Sequence, residues 1–331
     1  MTEAAMEIGG VNRNDRFTRG SRLVGVLSKA GLAFAILAVM LYGSFVSPAF
    51  FTSGNLLNVL TSMSIVGIVV VGMTFVLVVG GLADLSVPAT IACGAILSLG
   101  LQPMIGPLPA FVLAVGLAGL IGLLNGVLVG YVGINPIIAT LGIGTIGLGI
   151  VQAAVGGVIV YGSNPASAEF AKGRLFGIPV VVLIFLVIAL VGHFVLSRSF
   201  WGRWTLATGG NYSAAEASAV PVQAVKAGAF VITALASGIS GGLLGLTLQS
   251  ARPLIGGGYE FSAITAVVGG VSIVGGFGSV PRAIAGLIFV QLLTNVMVLD
   301  GVRTPIQGFV LGILIVGAVG MDAALRKRGV A

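Results

Sequence analysis

Apolar stretches of 16 to 26 residues recur along the whole chain, and they limit its fold more than any other feature. A bilayer core about 30 Å thick takes roughly 20 helical residues per crossing. Alternating segments of about 10 residues, the mark of a membrane barrel, are not seen. In lipid a helix satisfies its own backbone groups, so the expected fold is an all-α polytopic membrane protein. Composition agrees: 57% of the residues are hydrophobic and 8% are charged, where soluble domains carry about 25% charged residues.

The pattern predicts about ten transmembrane helices, near residues 30–48, 56–79, 86–101, 108–131, 136–160, 176–197, 224–249, 261–275, 282–299 and 305–322. They make a transmembrane domain over 30–322, between an N-terminal tail (1–29) and a C-terminal tail (323–331). The tail is basic and polar, and no A-x-A cleavage pattern follows the apolar run from Leu32 to Val46, so the first helix is expected to be retained. An even count puts both termini on one side. With the termini inside, the inner segments hold Arg13, Arg16, Arg19, Arg22, Lys29, Arg198, Arg203, Lys226, Arg282, Arg326, Lys327 and Arg328. The outer loops hold Lys172, Arg174, Arg252 and Arg303, and twelve against four obeys the positive-inside rule. Both termini are therefore expected in the cytoplasm.

The net charge of +7 could point to nucleic acid, but the basic residues are scattered over short loops without aromatic interleaving, and the membrane explains them. Cys93 is the only cysteine and His193 the only histidine, which gives neither a disulfide framework nor a metal-ligand spacing. No Gly-Lys pair occurs, so there is no P-loop, and H-E-x-x-H and G-x-S-x-G are also missing. No catalytic residue, metal or cofactor is assigned to this chain.

Asp84 is the sole acid between Asp15 and Glu169 and sits in "GGLADLSVPAT" (80–90). Since a charge at the bilayer centre costs about 2.5–3.5 kcal/mol on insertion scales, this stretch is expected at a helix break near the inner water interface. Asp84 or Ser86 would cap the helix that starts near Val87; alternatively, this stretch lines a polar path or Asp84 contacts a partner. Asn125 lies beside a ladder of small residues (Ala118, Gly122, Gly126, Gly130) that lets helix backbones approach, as do Gly238, Gly242, Gly241 and Gly245. With Asn135 and Pro136 at the start of the next span, Asn125 is a candidate either for the path or for helix-to-helix bonding.

The longest polar stretch between spans, 197–226, faces inward and carries Trp201 and Trp204 at headgroup level. Its "NYSAAEAS" predicts a short helix with Asn211 or Ser213 as N-cap and Glu216 in the first turn. On the outer side, Arg252 and Glu260 flank "PLIGGG" and could meet a docking partner by charge. A weak internal repeat links "GGLADLSVPATIACGA" (80–95) to "GGFGSVPRAIAGLI" (275–288), in the manner of transporter repeats.

Four stretches carry a resemblance to a known family: "GGLADLSVPA", "LNGVLVGYVGINPIIATL" (124–141), "ATGGNYSAAEASAV" (207–220) and "GYEFSAITAVVGGVSIVGGFGS". The chain resembles the permease subunits of bacterial ABC importers of the ribose and monosaccharide class, which are related to branched-chain amino-acid permeases. It departs from their pattern by an extra Ala83, by Pro88 for a glycine, and by Ala219 for a glycine. The resemblance implies a multi-pass protein of the bacterial inner membrane. It also implies a second permease chain, as homo- or heterodimer, cytoplasmic ATP-binding subunits that hold ATP and Mg, and a periplasmic sugar-binding protein. Gly209, Gly210, Asn211, Ala214, Ala215, Glu216 and Ser218 would then form the loop that seats in the ATPase. The alternatives are an ion-coupled secondary transporter, or a permease for a branched-chain amino acid or a sugar-like autoinducer.

Overall fold

The computed structural model describes residues 31–269, 271 and 275–327. The N-terminal tail, the last four residues and part of the eighth predicted span lie outside the described residues. Among the described residues, an apolar helix lies within or near each predicted segment: α1 (Gly31–Val46), α2 (Ser53–Val78), α3 (Val87–Gly100), α5 (Pro107–Gly130), α6 (Pro136–Ala154), α8 (Val180–Arg198), α11 (Val222–Leu248), α12 (Tyr259–Val268), α13 (Val280–Leu299) and α14 (Thr304–Lys327). Six of them, α2, α5, α6, α8, α11 and α13, are long and apolar enough to cross a bilayer. The others carry shorter apolar runs.

Several expected span limits shift, each at an identifiable stop. The fifth ends at Ala154 and not near 160, because Val160–Tyr161 (β1) pairs antiparallel with Ser250–Ala251 (β4). The sixth starts at Val180, after a small hairpin of β2 (Arg174–Leu175) and β3 (Ile178–Pro179) that turns through Phe176 and Gly177, both at positive φ. The eighth is a ten-residue helix, α12, that stops before Gly269. Short helices α4 (Gln102–Ile105) and α7 (Pro165–Lys172) fill connections.

At the centre, α2 and α11 pack on each other, and both are largely buried. α11 also packs on α3 and α5, and α2 on α12 and α13; α3 lies on α5 and α6, and α12 on α13 and α14. Exchanging α2, α3, α5 and α6 for α11, α12, α13 and α14 leaves these contacts unchanged, so this part of the packing repeats across the two halves. The packing of α5 on α6 and of α2 on α8 has no such counterpart among the described residues. The Ser-Val-Pro likeness follows a different register. It leads into α3 in one copy and α13 in the other, whereas packing makes α13 the counterpart of α5.

The small-residue ladder does what its spacing predicts. A Cβ on Gly122, Gly126 or Gly130 would stand 2.5–2.6 Å from the carbonyl oxygens of Phe230, Ala227 and Gln223 on α11. Gly94 of α3 lies against the backbone of Gly238, and Gly241 against that of Ile91. In lipid, van der Waals contact between close backbones replaces the hydrophobic drive that water would supply. Cys93 is buried in this region, in keeping with a packing role.

Candidate functional site

The break after α2 is a tight polar turn. Val78 is the last residue of α2, Gly80 and Leu82 have φ of 78° and 59°, and α3 begins at Val87 with Pro88 in its first turn. Leu82 in the left-handed region is unusual for a side chain with a Cβ, and it accompanies the extra residue Ala83. Asp84 and Ser86 are fully buried. Asp84 Oδ1 accepts from the Ser86 amide at 2.9 Å and from the Ser86 hydroxyl at 2.5 Å. From α5, Asn125 Nδ2 donates to Ser86 Oγ at 2.8 Å. From α6, the Thr140 hydroxyl accepts from the Leu85 amide at 3.1 Å and donates to the Pro136 carbonyl at 2.8 Å. Gly144 lets α6 close in, since a Cβ there would stand 2.9 Å from Ser86 Cα.

Asp84, Ser86 and Asn125 thus come together, and the helix break is where the sequence puts it. The environment differs from the expectation of a watery boundary, because α5 and α6 cover the turn. Asp84 Oδ2 and Asn125 Oδ1 have no partner, and an unpaired buried acceptor costs about 1–3 kcal/mol. Ser86 occupies the N-cap position of α3 without bonding to the helix through its side chain; Asp84 caps Ser86 instead. Asn135 stays apart from the cluster: it is exposed and caps α6, accepting from the Ile137 amide at 2.9 Å, with Pro136 in the first turn. Thr140, a member that sequence reasoning missed, was marked only by its place one turn after that Asn-Pro start.

The inner stretch holds two helices, α9 (Phe200–Gly210) and α10 (Tyr212–Ala217). Asn211 caps α10 as predicted, accepting from the Ala214 amide at 3.0 Å. Glu216 is in the last turn of this six-residue helix and not the first, so its carboxylate gains nothing from the helix N-terminus. Asn211, Ala214, Glu216 and Ser218 are exposed, while Ala215 is buried at 5% exposure. Ser218 closes the helix with its amide and hydroxyl on the Ala214 carbonyl. Ala219, the departure from the family pattern, has φ 59°. Gly210 is exposed, but Gly209 is packed against the chain's own backbone at Val78 and Gly276.

On the opposite side, Arg252 is exposed and joins Tyr259 and Ser250 around a cavity of about 400 Å³. Glu260 is turned inward: its Oε2 accepts from the Gly258 amide at 2.9 Å and is committed to the start of its own helix. Thr145 and Gln152, which the sequence reading did not single out, lie on the exposed side of α6 with Gly142 and Gly149. Those two glycines, and Gly308, Gly312, Gly317 and Gly320 of α14, have nothing within 4 Å of a Cβ position.

Bilayer-length helices around a dry core, interrupted by glycine-lined turns, define an α-helical polytopic membrane protein of transporter design. The interruptions carry the four stretches that distinguish this chain. It belongs to the family described as branched-chain amino acid transport system / permease component, which it matches over residues 55–319. It is 34% identical over 302 residues to the ribose import permease protein RbsC of Bacillus subtilis (strain 168), covering 90% of this chain and 94% of that protein. It is 32% identical over 302 residues to the D-allose transport system permease protein AlsC of Escherichia coli (strain K12), covering 89% and 91%. The autoinducer 2 import system permease protein LsrD of Photorhabdus laumondii is 31% identical over 306 residues, covering 89% and 91%. No solved structure matches the chain.

Proposed function

We propose that this chain is the membrane permease of an ATP-binding-cassette importer that carries a monosaccharide or sugar-like solute across a bacterial inner membrane. The observation that carries the reading is the alignment, over about nine-tenths of both chains, with permeases named for ribose and D-allose import. In this reading all ten apolar helices span the membrane over 30–322, both tails are cytoplasmic, and α9–α10 is the inner loop. ATP and Mg sit on separate ATPase subunits seated at the open side of α10, and a periplasmic sugar-binding protein docks on the outer side near Arg252. The open glycine faces of α6 and α14 support a second permease chain as partner, since the glycine ladders of α5 and α11 are filled by neighbouring helices. The exposed Thr145 and Gln152 suit the solute path better than the enclosed Asp84, Ser86 and Asn125. An ion-coupled mechanism would need a carboxylate open to that path, and burial of Asp84 argues against one.

Uptake of labelled ribose and D-allose by cells expressing the complete system is expected to stop when ATP is depleted and to survive collapse of the proton gradient. Uptake driven by the proton gradient without ATP, or uphill movement by this polypeptide alone in liposomes, would remove the importer reading.

A further inference from the structure

Glycines that are far apart in the sequence meet at one point: Gly80, the pair Gly209–Gly210 and the pair Gly275–Gly276. Val78 ends α2, and its carbonyl accepts from the Gly276 amide at 2.8 Å. A Cβ on Gly209 would run into that same carbonyl and stand 2.5 Å from the Gly276 nitrogen. One on Gly275 would lie 2.8–3.0 Å from Gly80 N, Gly80 Cα and Gly209 O, and one on Gly276 would strike Gly210. Gly80, Gly275 and Gly276 have φ of 78°, 91° and 74°, a region that residues with a Cβ enter only with strain.

The inner loop thus meets the end of α2 and the segment before α13 backbone to backbone at these glycines. Among the described residues, the nearest atoms to a Cβ at Gly209, Gly275 or Gly276 all belong to backbone, so no rotamer at these positions can absorb a displacement. The segment 80–86 carries this contact at one end and the Asp84–Ser86–Asn125 cluster at the other, which leads on to α5 and α6.

We propose that this glycine junction transmits displacement of the α9–α10 loop to both helix breaks at once, so that the inner end of α2 and the start of α13 shift together. The proposal rests on the reading of α10 as the seat of an ATP-hydrolysing partner. It assigns to Gly209 and Gly276 the role of transmission points, as distinct from the docking face formed by Ala214, Glu216 and Ser218.

The test is hydrogen–deuterium exchange on the assembled complex, with and without ATP plus vanadate. Peptides covering 205–218, 79–86 and 275–280 are expected to change together. In a Gly209→Ala complex the nucleotide response at 205–218 should persist, while that at 79–86 and 275–280 falls by about five-fold or more. Gly116→Ala, whose Cβ would meet nothing within 4 Å, should behave as the parent. A parent response confined to 205–218 would overturn the proposal, and so would a Gly209→Ala complex that keeps all three responses. If Gly209→Ala does not accumulate, the parent arm decides. If no ATPase subunit co-purifies with the parent chain, the importer reading falls first and the proposal falls with it.

Discussion

At the break between α2 and α3, Gly80 leads into a turn whose polar side chains, Asp84 and Ser86, are fully buried. At the α9–α10 loop, Gly209–Gly210 leads into a turn whose Asn211, Ala214 and Glu216 face outward. Both turns use the same local device, a short polar side chain accepting an amide two or three residues on: Asp84 from Ser86, Asn211 from Ala214. Local chemistry therefore fixes the turn and leaves open what covers it. At the break, α5 and α6 cross above and supply Asn125 and Thr140. At the loop, Val78 and Gly276 meet the flank at Gly209, and α11 meets α10 with Lys226 over the Tyr212 ring, while Asn211, Ala214, Glu216 and Ser218 stay exposed. An enclosed turn locks helices together, and a half-open one presents a face to another molecule.

The sharpest way to break this contrast is to exchange the two settings. Asp84→Ala strands the amide and hydroxyl of Ser86 in a dry site and should lower stability in detergent by about 3 kcal/mol, read from thermal unfolding. Asp84→Asn keeps an acceptor for Ser86 and should lose no more than about 1 kcal/mol. Equal losses in the two variants would show that the hydrogen bonds do not hold the break.

A second comparison uses neighbours on α10. Ala215→Arg places a charge at a buried position and should reduce folded yield and thermal midpoint, with uptake lost as a consequence. Ala214→Arg lies on the open side, so its stability should stay within about 0.5 kcal/mol of the parent while ATPase subunits no longer co-purify. Loss of folding in Ala214→Arg, or normal ATPase capture by it, would show that the open face has been misplaced.

The smallest expected effect concerns Ala219. Its φ of 59° is a conformation that a glycine adopts without strain. Ala219→Gly should raise stability by about 1 kcal/mol, since the left-handed region costs a Cβ-bearing residue roughly 1–2 kcal/mol and glycine returns part of that in chain entropy. A destabilised variant would mean that the methyl group packs usefully there.

The apolar helices were legible because lipid asks for long apolar runs, which Leu, Val and Ile supply. The glycine ladder on α5 was legible for the same reason, as Gly122, Gly126 and Gly130 fall on one helical face. Less was readable where polar and apolar residues mix. α9 carries Trp201, Arg203, Trp204 and Thr205 in one short run, and Trp201 fills the space beside Gly228 of α11. The cap at Asn211 could be seen, but a six-residue helix has too few turns for its periodicity to say that Ala215 faces in and Ala214 faces out. Asp84 and Asn125 stood out as isolated polar residues. Their meeting through Ser86 depends on how α5 crosses the break, which no local pattern records.

The backbone contacts of Gly122, Gly126 and Gly130 with α11, and of Gly94 with Gly238, have a mechanical consequence. Helices separated by side chains can slide as rotamers rearrange, but helices fitted carbonyl against Cα cannot advance by one residue without forcing a Cβ into a peptide. α3, α5 and α11 are therefore joined as a single plank, the fixed frame of the machine. Whatever opens and shuts must swing at its margins.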